Sequence, residues 1–184
     1  LRNNGGGSLR DAIDIAGFFI PSGPIVQVLK NVESSNTFFD LDNTTHYSKP
    51  LIILVNKFSA SASEIVTAAL QDYDRAIVIG NDHTFGKGTV QNVINLNKTT
   101  LFTQEELGYL KITISEYFRI NGTSTQFKGV KPDIIIPSKI DYLTVGEKEL
   151  KFALKGSQMP SRQYNTWNHS FNKSRVITET INNQ

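Results

Sequence analysis

The stretch that decides the fold reads LIILVNKFSASASEIVTAALQDY, residues 51–73. Its first five residues, 51–55, form an unbroken apolar run bounded by Pro50 and Asn56, which is typical of a strand buried on both faces. Apolar residues at helical spacing follow Ser61, so we expect a helix there. A serine at such a strand-to-helix junction has helix N-terminal N–H groups and the positive end of the helix dipole beside it.

This junction has two interpretations. In the first, the hydroxyl of Ser61 is a nucleophile, and the backbone N–H of the next residue is available to hold a developing oxyanion. In the second, Ser59, Ser61 and Ser63 only cap the helix. Taken alone, the segment favours capping, because serine is among the residues preferred at a helix N-cap.

The flanking segments alternate between helix and strand patterns. Ser8 and Asp11 have the spacing of a capping box, and they predict a helix over residues 9–20 that ends at Pro21 and Gly23. Further strands are predicted at 25–29, 76–79, 110–118 and 130–136, a surface loop at 31–49, and an amphipathic helix at 146–155. The short connections between these elements indicate an α/β architecture, and the tail from residue 156 has no clear pattern.

Composition excludes several classes of function. The chain has 184 residues, 39% of them apolar and 20% charged, which is ordinary for one globular domain. The net charge is +2 with the basic residues scattered, so nothing indicates nucleic-acid binding. The absence of cysteine excludes a disulfide framework, a thiol nucleophile and a cysteine-ligated zinc site. No apolar run reaches the roughly 18 residues of a membrane span, and the start at Leu1 leads us to expect a fragment or processed piece.

A lysine between two glycines is the second candidate for chemistry. Residues 84–89 read TFGKGT, which fails as a phosphate-binding loop because Gly88, and not Ser or Thr, follows Lys87. One interpretation is a solvated lysine in a turn. The other is that the flanking glycines allow close backbone packing that aims the Lys87 amine into a site, where burial lowers its pKa and makes it a general base.

Two further features leave alternatives open. The glycine run at residues 5–7 is either a flexible link or a turn that supplies a second oxyanion donor. The three histidines, His46, His83 and His169, lie in polar segments, and no G-x-S-x-G or H-E-x-x-H motif accompanies them. His83 is four residues before Lys87, so a histidine-dependent esterase or amidase is an alternative.

Together these segments strongly resemble the carboxy-terminal processing peptidases, also called tail-specific proteases, of family S41. The resemblance covers residues 1–137 in order, and it is carried by LRNNGGG at 1–7, PSGPIVQV at 21–28, FSASASE at 58–64, QDYDRA at 71–76, TFGKGTVQ at 84–91, GTSTQ at 122–126 and KGVKPD at 128–133. The segment at 21–28 points to the tail-specific branch. Several motifs in the same order are far more specific than any one of them.

The resemblance implies a set of roles for the site residues. Ser61 would be the nucleophile, Lys87 the general base, and Gln91 the side chain that orients the lysine. The backbone N–H groups of Ala62 and Gly7 would hold the oxyanion, and no metal or other cofactor is required. The segment 81–83 is one residue longer than is usual in the family, so Ser59 and Ser63 stay as fallback nucleophiles.

The resemblance also implies a fold and a setting. The expected fold is a crotonase-like (ClpP-like) α/β core of repeated β-β-α units, incomplete at its N-terminus. Residues 1–137 would be the catalytic core and 138–184 a C-terminal helical extension. A PDZ domain is expected upstream, the substrates would be polypeptides with apolar C-termini, and the setting would be the periplasm of the bacterial cell envelope. The sequence leaves open whether an adaptor lipoprotein delivers substrates, and the alternatives are a non-cleaving binding module or, more remotely, an acyl-thioester enzyme of the same fold.

Overall fold

The computed structural model describes residues 1–31, 34–98, 106–168 and 172–183. Two sheets and two helices build the core, and the α/β class predicted from the sequence is confirmed. The helices of the core are α1 (Leu9–Gly17) and α2 (Ala62–Asp72). The strands are β1 (Gly23–Asn31), β2 (Ser34–Asp40), β3 (Ile52–Leu54), β4 (Ile77–Gly80), β5 (Thr89–Asn95), β6 (Tyr109–Phe118) and β7 (Ile134–Ile135).

The two sheets differ in direction. One is antiparallel, with strand order β2-β1-β6-β5, and the other is parallel, with order β3-β4-β7. Helices α1 and α2 pack on each other, and the buried core lies between them and the sheets. Its apolar members include Ile13 and Ile20 from the α1 region, Val26 and Val28 from β1, and Leu70 from α2. The core therefore fixes both ends of α2, the helix that follows Ser61.

Two predicted strands and one predicted helix need correction. The run 51–55 is buried on one face only: Ile53 and Val55 are buried, whereas Ile52 and Leu54, which point to the opposite face, are 58% and 49% exposed. Strand β7 is much shorter than the predicted 130–136. The predicted helix at 146–155 is only a 3₁₀ turn at Glu147–Glu149. In place of a longer helix, the Glu147 N–H donates to the Phe85 carbonyl of a distant segment, and such tertiary contacts can override helix propensity.

Elements with polar sequences were missed. Strand β2 lies inside the segment predicted as a loop, where its pairing with β1 supplies the backbone hydrogen bonds that its polar side chains did not suggest. Strand β5, which begins two residues after Lys87, was also not predicted. The C-terminal helix α3 (Lys173–Asn182) lies in the tail that had no clear pattern of its own, within the 138–184 extension that the resemblance implies to be helical.

The described residues between β7 and α3 are mostly irregular, and some of them contact the core. Trp167 donates its backbone N–H to the Tyr73 carbonyl at 2.7 Å, and its indole lies 4.5 Å over the buried guanidinium of Arg75. No helix in the described ranges is long and apolar enough to cross a bilayer. The division of the chain at residue 137 stays a prediction.

Candidate active site

Ser61 lies at a sharp turn between β3 and α2. It is the N-cap residue of α2, with φ 57° and ψ −118°, a conformation that costs a residue other than glycine about 1–3 kcal/mol. Hydrogen bonds hold this turn: the Ser61 N–H donates to Glu64 Oε2 at 2.9 Å, and the Ile65 N–H donates to the Ser61 carbonyl at 3.0 Å. A serine held in this way at a helix N-terminus has the backbone geometry of a nucleophile elbow.

The two neighbouring serines lie in different surroundings. Ser59 is fully buried, and its hydroxyl donates to the Leu1 carbonyl at 2.8 Å and accepts from the Asn56 N–H at 3.0 Å. Ser63 is buried and lines a separate cavity of about 190 Å³. Of the three serines, Ser61 is the one that shares a cavity with Lys87.

That shared cavity contains all five residues that the sequence singled out. It encloses about 260 Å³, and its lining includes Gly7, Ser61, Ala62, Lys87 and Gln91. The remaining walls are formed by Leu9, Val28, Ile65, Thr89, Val90 and Tyr117. Apolar side chains therefore surround a small group of polar ones, as is usual where a ligand is bound and oriented.

The glycine run reaches the cavity because the N-terminal segment is tied to the serine turn. Asn3 and Asn56 exchange two hydrogen bonds, at 3.0 and 2.7 Å, and the Ala60 N–H donates to the Asn4 carbonyl at 3.0 Å. Gly6 has φ 97°, and a Cβ there would lie 2.8 Å from the Ala62 nitrogen, so glycine is required.

The two residues that carry the candidate oxyanion donors, Gly7 and Ala62, line the same cavity as Ser61. The Gly6 N–H is committed to Asn4 Oδ1 at 2.9 Å, whereas Gly7, the residue chosen from the sequence, lines the cavity. The Ala62 N–H belongs to the first turn of α2, where N–H groups have no partner within the helix.

The glycines on either side of Lys87 allow the close packing that the sequence suggested. Gly86 has φ 90°, and a Cβ at Gly88 would lie 2.5 Å from the Gln126 nitrogen. The loop is thus pressed against residues 126–129. Lys87 itself is half-buried, with its side chain at the cavity.

Glu64 joins the serine turn to the lysine loop. It is fully buried, and its carboxylate accepts four hydrogen bonds: Oε1 from the Thr84 hydroxyl (2.5 Å) and the Gly86 N–H (2.7 Å), and Oε2 from the N–H groups of Ser61 and Lys87 (both 2.9 Å). Burial raises the pKa of Glu64 to about 7, while the four hydrogen bonds oppose that rise. One carboxylate thus fixes the backbone of both Ser61 and Lys87.

Tyr117 and Gln91 complete the lysine side of the cavity. The Tyr117 ring is fully buried, its hydroxyl donates to the Lys87 carbonyl and lies within hydrogen-bond reach of Ser61, and burial raises its pKa. Gln91 is exposed and follows a β-bulge at Val90. Bulges change the direction of side chains and occur often beside active sites.

The histidines do not join this group. The His83 ring has Nδ1 2.6 Å from the Thr84 carbonyl and Nε2 3.5 Å from Asp82 Oδ2, and the residue is not part of the cavity lining. His46 pairs with Asp42 at 3.4 Å, and His169 lies outside the described residues. Within the described ranges, no three metal-ligating side chains converge on a common point.

Sequence reasoning assigned no role to Glu64, Tyr117 or Gln126. For Glu64 a signal was present, because a glutamate three residues after the N-cap serine is the second member of a capping box. For Gln126 the signal was its place in the GTSTQ segment at 122–126 that carries the resemblance, although that segment indicated no role. For Tyr117 there was none, since it acts on a loop that is distant in sequence.

Comparisons with known proteins agree on one family. The model of peptidase family S41 matches residues 1–136. The chain is 46% identical over 164 residues to a tail-specific protease of Haemophilus influenzae, covering 89% of this chain and 24% of that protein. It is 40% identical over 166 residues to a carboxy-terminal-processing protease of Bartonella bacilliformis, covering 86% of this chain and 36% of the relative.

A solved structure supports the same grouping. The photosystem II D1 C-terminal processing protease superposes with a TM-score of 0.63 at 28% sequence identity, over 76% of this chain and 34% of that one. The chain therefore spans about a quarter to about a third of the length of these relatives.

Proposed function

Because this chain belongs to peptidase family S41, in the group of tail-specific and carboxy-terminal processing serine proteases, we propose that it carries the acylation site of a serine endopeptidase with a Ser61–Lys87 dyad. The observation that carries the proposal is the single cavity shared by Ser61, Lys87, Gln91, Ala62 and Gly7. The strained turn at Ser61 and the Glu64 carboxylate that ties it to the lysine loop add support.

The proposed reaction has two halves. Lys87, as the general base, takes the proton of the Ser61 hydroxyl as Oγ attacks the peptide carbonyl, and the Ala62 and Gly7 N–H groups stabilise the oxyanion. The C–N bond then breaks, and Lys87 gives its proton to the leaving amine. Water attacks the acyl-enzyme with Lys87 again as base, which frees the acid product and restores Ser61. Gln91 would orient the lysine.

The substrate class follows from family membership. We propose cleavage of proteins near or from their C-termini, with a preference for apolar ends, assisted by a PDZ domain upstream in the full-length protein. The bacterial relatives also support a place in the cell envelope, in the periplasm. Cell fractionation with an antibody to the chain tests that placement. A crotonase-like arrangement of the core is part of the same proposal.

The test uses the full-length protein and a substrate with an apolar C-terminus. Ser61→Ala and Lys87→Ala should each abolish cleavage. Ser63→Ala, which removes a hydroxyl from the other cavity, and Lys131→Ala, which removes an exposed lysine, are the matched controls and should stay active. A fluorophosphonate probe, mapped by mass spectrometry, should modify Ser61.

Three results would contradict the dyad. They are retained cleavage in Ser61→Ala, retained cleavage in Lys87→Ala, and labelling of Ser59 or Ser63 in place of Ser61. Loss of activity in a His83→Ala variant with Lys87→Ala still active would instead favour a histidine-dependent hydrolase.

A further inference from the structure

The backbone of residues 85–88 is fully hydrogen-bonded although it belongs to no strand or helix. The N–H of Phe85 donates to the Ser59 carbonyl at 2.9 Å, those of Gly86 and Lys87 donate to Glu64, and that of Gly88 donates to Gln126 Oε1 at 2.7 Å. The Phe85 carbonyl accepts from the Glu147 N–H, and the Gly86 carbonyl accepts from the Phe127 N–H. The Lys87 carbonyl accepts from the Tyr117 hydroxyl, and the Gly88 carbonyl accepts from the Tyr117 N–H. Such complete pairing holds the loop in one conformation.

Three side chains bond the backbone of residues 85–88, namely those of Glu64, Tyr117 and Gln126. Of these, the Gln126 side chain is hydrogen-bonded to the C-terminal part of the chain. It is 1% exposed, and its Nε2 donates to the Leu154 carbonyl at 2.9 Å and to Glu147 Oε1 at 3.2 Å. A carbonyl and a carboxylate only accept hydrogen bonds at these contacts, so they direct the amide nitrogen toward themselves. The amide oxygen must then face the Gly88 N–H.

The C-terminal contacts reach both ends of the lysine loop. Glu147 donates its backbone N–H to the Phe85 carbonyl at 2.8 Å, before the lysine, and acts through Gln126 on Gly88, after it. Glu147 is itself 8% exposed, and a Cβ added at Gly146 would lie only 3.1 Å from the Phe85 carbonyl oxygen. We call residues 146–154 the C-terminal clamp. It lies beyond the residues that the family model matches.

We propose that Gln126 is a positioning residue for Lys87 and that the C-terminal clamp holds it in that role. The proposal rests on the proposed function, because it concerns how the general base is aimed. A lysine side chain with four rotatable bonds is aimed only if its backbone is fixed. A displacement of about 1 Å at a catalytic group can lower a rate about 100-fold. Removing the Gln126 amide leaves the Gly88 N–H without an acceptor, so the lysine loop is then held by Glu64 before Gly88 but no longer at Gly88 itself.

The test compares a disruptive change with a compensating pair. Gln126→Leu should lower kcat about 10- to 100-fold and leave KM within about twofold, since substrate binding is not the step affected. Gln126→Glu should also be impaired, because it sets two carboxylates against each other. Adding Glu147→Gln should restore part of the activity: the carboxylate introduced at 126 still accepts from Gly88 and the amide introduced at 147 donates to it, while the Leu154 carbonyl keeps no donor. Gln163→Leu, at an exposed position, is the matched control.

Two readouts separate positioning from a merely structural role. The acid limb of the pH profile of kcat/KM should shift in Gln126→Leu, because the surroundings of the Lys87 amine change, while the thermal unfolding midpoint stays within a few degrees of wild type. The inference is overturned by wild-type kcat in Gln126→Leu, by no recovery in the double variant, or by activity losses that simply follow the unfolding midpoint. Lys87→Ala is measured in parallel: if it stays active, the proposed function fails, whereas if it is inactive and Gln126→Leu is not impaired, only this inference fails.

Discussion

Replacing Glu64 by glutamine should separate the serine turn from the lysine loop with almost no change in shape. Each carboxylate oxygen of Glu64 now serves two donors, one pair being Thr84 and Gly86 and the other Ser61 and Lys87. An amide has one oxygen, so it serves one pair and turns an NH₂ group toward the other. Whichever way the amide lies, two donors lose their acceptor: either the buried pair, Thr84 and Gly86, or the half-buried pair, Ser61 and Lys87.

The size of the effect follows from that count. A buried donor without an acceptor costs about 1–3 kcal/mol, so two of them cost about 2–6 kcal/mol. Since about 1.4 kcal/mol corresponds to a tenfold change, the lower end already reduces the competent arrangement about 30-fold. We therefore expect kcat/KM of Glu64→Gln to fall at least about 30-fold at pH 8, where Glu64 is ionised.

The assay is cleavage of a substrate with an apolar C-terminus by the full-length protein, with fluorophosphonate labelling of Ser61 as a second readout. Glu106→Gln makes the same chemical change at an exposed position outside the cavity and the C-terminal clamp, and it should have wild-type activity. A kcat/KM for Glu64→Gln within about threefold of wild type would refute the reasoning, because it would mean that the four hydrogen bonds do not fix the site.

The pKa of Glu64 adds a dependence on pH. Burial raises it from 4.5 to about 7, so the folded state binds this proton more tightly than the unfolded state does. The stabilisation from Glu64 is therefore complete below pH 4.5 and is lost as the pH rises to about 7, a change of about 3 kcal/mol. Urea unfolding at several pH values should show this loss of unfolding free energy between pH 4.5 and about 7 in wild type and not in Glu64→Gln. The difference in kcat/KM between wild type and Glu64→Gln should become smaller below pH 7. The reason is that a protonated Glu64 carboxyl, like an amide, presents a hydrogen to one pair of donors.

Two other substitutions test packing, one at the lysine loop and one at the buried Arg75. Gly88→Ala should lower kcat at least about tenfold, because its Cβ would lie 2.5 Å from the Gln126 nitrogen and push the lysine loop outward; wild-type kinetics in this variant would contradict the close packing. Trp167→Ala should lower the free energy of unfolding in urea by about 1–3 kcal/mol, since its indole covers the buried Arg75 guanidinium at 4.5 Å, and a loss under about 0.5 kcal/mol would show that this contact contributes little.

Local patterns predicted the elements whose sequences are strongly apolar or capped. Helix α1 begins where Ser8 was expected to cap it, with the Asp11 N–H donating to the Ser8 hydroxyl at 3.3 Å, and it ends at Gly17, before the predicted stop. Strand β4 lies where the run 76–79 placed it. Strands β2 and β5 escaped prediction because their polar residues form strands only when a neighbour supplies the hydrogen bonds. The family resemblance, carried by several motifs in order, is confirmed by the family model and the relatives.

The sequence by itself determined the family, the α/β class and the residues from which a site could be built. Ser61 alone was compatible with a helix cap, and Lys87 alone with a turn. Only the tertiary structure decided that both line one cavity, that Ser61 has a strained backbone, and that Glu64, Tyr117 and Gln126 fix the lysine loop. The physical reason is that hydrogen bonds between segments 20 to 60 residues apart leave no periodic trace in either segment, so they exist only once the core has brought those segments together.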